Sequence, residues 1–167
     1  MAAAINWSSP EGVRTRAAQE SDVDAIVRLV NAAFIVERIA FDGDRIDAQR
    51  VRETMKKAAF LLAEDATGLV GCVSVEVLGG RSYLGLLSVD PGRQGTGVGR
   101  LLVAAAEGYS RTSGCRAMDL RVISPRAEGL VPFYERLGYT QTGTAPFSCD
   151  VQPKLPCHYI TMAKPLT

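Results

Sequence analysis

Apolar residues recur at two spacings along the chain, and the change between them predicts where helices and strands alternate. From Val23 to Phe34 they recur every three or four positions, which is typical of an amphipathic helix. A more polar helix follows, and a third is expected from Val98 to near Gly114. Short segments rich in Val, Leu and Ile predict strands over residues 13–17, 60–64, 69–78, 83–89, 117–123, 139–144 and 159–164.

The order of these elements predicts an α/β fold built on an α+β mixed sheet with helices on both faces. The turn Gly79-Gly80-Arg81-Ser82 is typical of a hairpin, so strand 83–89 is expected to run antiparallel to strand 69–78. The helix that links strand 83–89 to strand 117–123 forms a crossover, which places those two strands parallel. We expect about six to seven strands and about four helices.

The segment before Gly138 leaves two interpretations open. Ser124-Pro125 can start a helix that Pro132 interrupts, or Pro132 can be the first residue of a short separate helix, because proline lacks the N–H that a helix interior needs. In either case Gly138 is expected to end the helix as its C-cap.

Composition and charge narrow the class of protein. Hydrophobic residues make up 47% of the chain and charged residues 22%, which is typical of a soluble globular domain. The 19 basic and 18 acidic residues leave a net charge of +1, so the overall charge favours neither nucleic acid nor an anionic membrane as a partner. Without a membrane-spanning run or a signal peptide, the chain is expected to be one cytoplasmic domain spanning residues 1–167, frayed over 1–12.

Three glycines between a predicted strand and a predicted helix form the most informative motif. Gly95, Gly97 and Gly99 allow a ligand to approach the backbone closely. The N–H groups and the dipole of the helix that follows attract anions. Arg93 and Arg100 add full positive charges beside the turn, so we expect it to bind a phosphorylated ligand.

Two common phosphate-binding motifs do not fit this turn. A nucleoside-triphosphate P-loop requires Lys and then Ser or Thr, where the chain has Val98 and Gly99. A dinucleotide fingerprint requires a third small residue, where the chain has Arg100 or Leu102.

Two segments instead resemble motifs of one known family. The first reads Gln94-Gly95-Thr96-Gly97-Val98-Gly99, and the second reads Phe133-Tyr134-Glu135-Arg136-Leu137-Gly138-Tyr139. The first is similar to the acetyl-CoA-binding motif, and the second to a downstream segment, of the GNAT superfamily of N-acetyltransferases. Both occur in the family's order, and the resemblance covers residues 13–165.

The resemblance implies acetyl-CoA as cosubstrate and a sheet that splays between strands 83–89 and 117–123. The backbone at the end of strand 83–89 would then pair with the pantetheine arm, and an N–H near Leu87 or Ser88 would polarise the thioester carbonyl. The turn would hold the pyrophosphate. The implied cofactor-binding residues are Leu87, Ser88, Val89, Gln94, Gly95, Thr96, Gly97, Val98, Gly99 and Arg100.

The same resemblance makes Tyr134 the expected general acid, because a phenol can protonate a departing thiolate. The alternative is a core role, since Tyr134 lies on an apolar helical stripe. Glu76 is the predicted base for the amine, with Tyr83 and Glu37 as other candidates, and the reaction can also proceed without a dedicated base. No metal is expected.

The implied function is acetyl-CoA-dependent N-acetyl transfer to a primary amine of a small molecule or peptide, by direct attack in a ternary complex. A non-catalytic domain that binds CoA or acyl-CoA is the alternative, and an acyltransferase for longer chains or hydroxyl acceptors is a third. Many family members carry an Asn upstream of the tyrosine, and residues 126–130 contain none. The acceptor is expected between segments 36–47 and 145–157, and the resemblance allows a homodimer.

Overall fold

Residues 10–149 and 151–167, which the computed structural model describes, form one seven-stranded sheet with four α-helices. The expected fraying of residues 1–12 falls largely on residues 1–9, which lie outside this description. The strands are β1 Arg14–Ala17, β2 Ala59–Asp65, β3 Gly68–Leu78, β4 Arg81–Val89, β5 Ala117–Ile123, β6 Thr140–Pro146 and β7 His158–Pro165. The helices are α1 Val23–Ala33, α2 Ala48–Met55, α3 Val98–Thr112 and α4 Ala127–Arg136.

The sheet is mixed, with strand order β1-β2-β3-β4-β5-β7-β6. Its pairs are antiparallel except for β4 and β5, which are parallel and joined by the crossover through α3. The predicted hairpin, the predicted crossover and the expected numbers of strands and helices are therefore confirmed. None of the helices in the described residues is long and apolar enough to cross a membrane.

The sheet opens between its two parallel strands, as expected. β4 and β5 pair only from Arg81 to Tyr83 on one side and from Ala117 to Asp119 on the other. Beyond these residues β5 offers no ladder partner to β4. On its other side β4 pairs with β3 through an irregular register, where Leu86 adopts a left-handed φ of 50°. The two halves of the sheet thus separate towards the end of β4, which leaves a gap between them.

Two buried clusters cover the two faces of the sheet. α3 and α4 pack on one face, against Leu120 and Val122 of β5 among others. α1 and α2 pack on the opposite face, against Phe60 and Leu62 of β2. Because strand residues alternate between faces, Arg121 points to the α1 and α2 face, between two residues that face α3.

α4 is continuous, so both interpretations of Pro132 were wrong. The helix runs from Ala127 to Arg136 and contains Pro132 in its interior. The proline removes one backbone bond, to the carbonyl of Glu128, and this residue is exposed, so water can solvate the carbonyl. The C-cap is Leu137, one position before the expected Gly138, and Gly138 follows it with a left-handed φ of 96°.

A buried polar cluster fixes α4 relative to α3. The Tyr139 hydroxyl, just beyond α4, donates to Glu107 Oε1 of α3 at 3.0 Å. Lys164 Nζ of β7 donates to the same carboxylate at 3.0 and 3.1 Å. The Tyr139 ring also contacts the Tyr134 ring edge to face, with centroids 5.8 Å apart. The cluster therefore helps to set the position of Tyr134.

Replacing Tyr139 with phenylalanine is expected to lower the free energy of unfolding by about 1–3 kcal/mol, because it removes a hydrogen bond to a buried carboxylate. Urea unfolding of the variant measures this change. Tyr109→Phe is the matched control, because Tyr109 is 39% exposed and should give a change near zero. Equal stability of Tyr139→Phe and wild type would contradict the role of the cluster.

Candidate functional site

A cleft of about 990 Å³ occupies the gap between β4 and β5 and reaches both faces of the sheet. At one end it is lined by the glycine turn and by α4. At the other end it is lined by the segment between α1 and α2 and by Phe147 and Tyr159. Its size is that of an ordinary small-ligand site.

The glycine turn leads from β4 into the N-terminus of α3. Gly95 and Gly97 have left-handed φ values of 79° and 96°, which residues with a Cβ adopt only with strain. Gly97 is the N-cap of α3, whose first N–H groups have no partner within the helix. A Cβ at Gly95 would meet nothing within 4 Å, so the turn is open on that side. This arrangement suits a diphosphate.

The residues predicted to bind the cofactor fall into two groups. The cleft is lined by Leu87, Val89, Gln94, Gly95, Gly97, Gly99 and Arg100. The other three do not line it. The hydroxyl of Ser88 donates to the Leu86 carbonyl at 2.9 Å, the Thr96 hydroxyl donates to the Arg93 carbonyl, and Val98 is buried in the core. These three can contribute only through their backbone.

Tyr134 lines the cleft from α4 and is 6% exposed. Its ring packs edge to face on Phe133, with centroids 5.0 Å apart, so the ring belongs to the core. Its hydroxyl makes no hydrogen bond with any residue that the structure describes. Burial raises the pKa of Tyr134, which keeps the phenol protonated. The residue thus combines a core ring with a hydroxyl available to a ligand.

The three candidate bases occupy different positions. Glu76 lies on β3 opposite Tyr83, one strand away from the gap, and does not line the cleft. Tyr83 and Glu37 do line it. Burial raises the pKa of Glu37, and the positive charges of Arg45 and Arg126 oppose this shift. The catalytic role of Glu76 stays a prediction, and its position is less direct than that of Glu37.

Aromatic rings line the far end of the cleft. Phe41 stacks on Phe147 with ring centroids 5.3 Å apart, and Phe147 lies 5.3 Å from Tyr159. The Arg121 guanidinium lies over Tyr159 at 5.2 Å and over Tyr83 at 5.9 Å. Segments 36–47 and 145–157 both line the cleft, and their role in acceptor binding stays a prediction.

Arg121 was not among the site residues predicted from the sequence. The available signal was a charged residue in the otherwise apolar run Leu120-Arg121-Val122-Ile123, which indicates that one face of this strand meets solvent or a ligand.

Among residues 10–149 and 151–167, no group of three or more His, Cys, Asp or Glu is arranged to hold a metal ion.

Comparisons with known proteins agree on one family. A family model described as an acetyltransferase (GNAT) domain matches residues 17–151. The mycothiol acetyltransferase of Propionibacterium freudenreichii subsp. shermanii is 34% identical over an alignment of 142 positions that covers 81% of this chain and 45% of that protein. The blasticidin-S acetyltransferase of Streptomyces morookaense is 35% identical over 98 residues, 58% of this chain and 65% of that protein.

Solved structures share the fold. The structure of yncA from Salmonella typhimurium with its cofactor acetyl-CoA superposes with a TM-score of 0.71 at 19% identity, covering 94% of this chain and 95% of the other. The chain spans about half the length of the mycothiol acetyltransferases that it matches. Its expected organisation as a single domain over residues 1–167 stays a prediction.

Proposed function

The chain belongs to the GNAT family of acetyltransferases, and on this basis we propose that it transfers the acetyl group of acetyl-CoA to a primary amine of a small molecule. The observation that carries the proposal is the continuous cleft, which joins the open turn at the N-terminus of α3 to the gap between β4 and β5 and to the hydroxyl of Tyr134. If the glycine turn served only to pack α3 against the sheet, neither the gap between β4 and β5 nor the available hydroxyl of Tyr134 would be required.

The turn and the strand edge fit the coenzyme. Gly97 and Arg100 line the cleft, and the backbone N–H groups around Gly97 together with the positive charge of Arg100 would hold the pyrophosphate. The backbone of Leu87 and Val89 would pair with the amide groups of the pantetheine arm, because β5 offers them no ladder partner. When bound, acetyl-CoA supplies an acetyl group activated as a thioester.

The transfer forms one bond and breaks another, with two proton movements. The neutral amine of the acceptor forms a C–N bond to the acetyl carbonyl carbon, and the C–S bond breaks. A backbone N–H near Leu87 would stabilise the charge that develops on the carbonyl oxygen. Tyr134 would give its proton to the departing sulfur, and a base would take the proton that the amine loses.

Glu37 is the carboxylate whose position best suits this base. It lines the cleft, and its Oε1 lies 3.7 Å from Arg126 Nη1. Its raised pKa makes it a stronger proton acceptor than an exposed carboxylate. Glu76, the base predicted from the sequence, lies opposite Tyr83, which stands between it and the gap. Glu76 would therefore have to accept the proton through Tyr83 or through water.

Replacing each glutamate with glutamine distinguishes the two candidate bases, Glu37 and Glu76. Glu37→Gln is expected to lower kcat/KM by about 100-fold or more, and Glu76→Gln by much less.

Because the Glu37 carboxyl must be ionised to act, wild-type activity should fall as the pH drops through its raised pKa. Arg126→Gln should move this fall to higher pH, because it removes a charge that lowers the pKa. A pH profile of kcat/KM for wild type and Arg126→Gln checks the pH dependence. A larger loss of kcat/KM in Glu76→Gln than in Glu37→Gln would assign the base to Glu76 instead.

The function itself is tested by release of the coenzyme A thiol from acetyl-CoA with a panel of amines. The names of the mycothiol and blasticidin-S acetyltransferases support a small-molecule acceptor. We expect at least one small amine to be acetylated. Tight binding of acetyl-CoA without turnover of any small amine or peptide would instead favour a non-catalytic coenzyme-binding domain. The cytoplasmic location and the homodimer stay predictions of the sequence.

A further inference from the structure

We propose that the acceptor of this enzyme is an amine that also carries a carboxylate, and that Arg121 and Arg45 bind this carboxylate at the far end of the cleft. The inference rests on the proposed function, because it names the substrate class of the same site. It follows from the Arg121 charge at that end of the cleft, which no acid of the described residues pairs with, and from the aromatic surface beside it.

Arg121 is held in place by rings rather than by an acid. Its guanidinium lies between Tyr83 and Tyr159, at 5.9 and 5.2 Å from their centroids. No carboxylate in the described part of the chain forms an ion pair with it, and its N–H groups have no acceptor there. Rings fix a guanidinium without using its in-plane donors, which match a carboxylate in a bidentate pair. Arg121 is therefore positioned for a ligand.

Arg45 adds a second charge to the same place. Burial raises the pKa of Tyr83 and of Tyr159, and the charges of Arg121 and Arg45 both oppose this shift at each phenol. Arg45 also lines the cleft, together with Arg121 and the same two tyrosines. Arg45 itself lies over the Phe34 ring at 5.5 Å and, like Arg121, pairs with no carboxylate of the described residues.

The acids on this side of the cleft have other partners. Asp42 pairs with Lys154 at 2.8 Å, and Asp44 pairs with Arg38 at 3.2 Å. Asp47 accepts the backbone N–H of Arg50 at the start of α2. Glu37 faces Arg126. Among the described residues, the charge left over at this end of the cleft is therefore positive, which disfavours a purely cationic acceptor.

These arginines are not needed for the coenzyme's pyrophosphate. Arg121 points to the face of the sheet covered by α1 and α2, whereas the glycine turn leads into α3 on the opposite face. Between the two ends lies the gap in which the acetyl group would be transferred. A carboxylate on Arg121 would direct the rest of the acceptor, including its amine, towards that gap.

The aromatic surface indicates the body of the acceptor. Phe41, Phe147 and Tyr159 lie ring on ring beside Arg121, with successive centroids 5.3 Å apart. Such a surface contacts an apolar or planar group, and it borders the unmatched positive charge. An amine with a carboxylate and an aromatic or apolar body, such as an aromatic amino acid, would pair with the positive charge and pack on the aromatic surface.

The test uses pairs of amines that differ only in a carboxylate or a carboxamide. Phenylalanine and phenylalaninamide, β-alanine and β-alaninamide, and 6-aminohexanoate and its amide vary the distance between the two groups. We expect Arg121→Gln to lower kcat/KM for the best carboxylate member by about 10- to 100-fold, as for a lost charged hydrogen bond, and to leave its amide unchanged. The ratio of wild type to variant cancels the difference in amine pKa within a pair.

The same pairs are titrated by calorimetry into the protein saturated with coenzyme A, so that the preference for the acid over its amide is measured even without turnover. Arg116→Gln is the matched control, because Arg116 is exposed and does not line the cleft. Equal binding of acids and amides by wild type, or an equal loss for both in Arg121→Gln, would overturn this inference alone. Failure of wild type to bind coenzyme A would overturn the proposed function and the inference with it.

Discussion

Replacing Tyr134 with phenylalanine is expected to lower kcat for acetyl transfer by about 10²- to 10⁴-fold, the usual contribution of a positioned general acid. The ring that packs on Phe133 and Tyr139 is retained, so the cleft keeps its shape. The lost hydroxyl has no hydrogen-bond partner in the described chain, so the free energy of unfolding should change little. The Kd of acetyl-CoA should also stay close to that of wild type.

Steady-state kinetics and a calorimetric titration with acetyl-CoA check this expectation together. Tyr109→Phe is the matched control, because Tyr109 lies on α3 away from the cleft and its loss should leave kcat unchanged. A Tyr134→Phe variant with normal kcat would show that Tyr134 is only a core residue. A variant with weaker acetyl-CoA binding and normal kcat would assign the hydroxyl to binding.

The pKa of Tyr134 sets the expected pH dependence of this step. Because burial raises the pKa, the phenol stays protonated through the pH at which an exposed tyrosine ionises, about pH 10. Wild-type kcat should therefore show no loss at alkaline pH that comes from this residue.

The sheet was predictable from the sequence because its signals are local. The Gly79-Gly80 turn and the apolar strands on either side of it determine the antiparallel hairpin of β3 and β4. The gap between β4 and β5 was expected from the family resemblance alone, since periodicity does not distinguish a paired strand from a splayed one. Pro132 was misread because the cost of a proline depends on whether the freed carbonyl reaches water, and tertiary structure decides that.

The far end of the cleft was not predictable in the same way. Its aromatic surface joins Phe41 from the segment after α1, Phe147 from the end of β6 and Tyr159 from β7. Tyr159 reaches Arg121 because β7 pairs with β5 in the register that sets Tyr159 opposite Ile123. A shift of β7 by one residue would turn Tyr159 to the other face, away from Arg121. No short motif encodes this register, so the residues meet only in the folded chain.

Replacing Gly97 with glutamate is expected to raise the Kd of acetyl-CoA by at least about 100-fold. Gly97 caps the N-terminus of α3 and lines the cleft, so a carboxylate there would repel the pyrophosphate and occupy the same helix dipole. A repulsion of about 4 kcal/mol between unit charges about 4 Å apart near a protein surface accounts for a change of this size. Calorimetric titration measures it directly.

Gly79→Glu separates this effect from backbone strain. Gly79 has a similar left-handed φ of 69°, it has open space where a Cβ would lie, and it does not line the cleft. Both glutamates should cost about 1–2 kcal/mol of stability, because a residue with a Cβ is strained in that conformation. Only Gly97→Glu should lose the coenzyme. If both variants bound acetyl-CoA as wild type does, the turn would not be the pyrophosphate site, and the anion would have to lie elsewhere along the cleft.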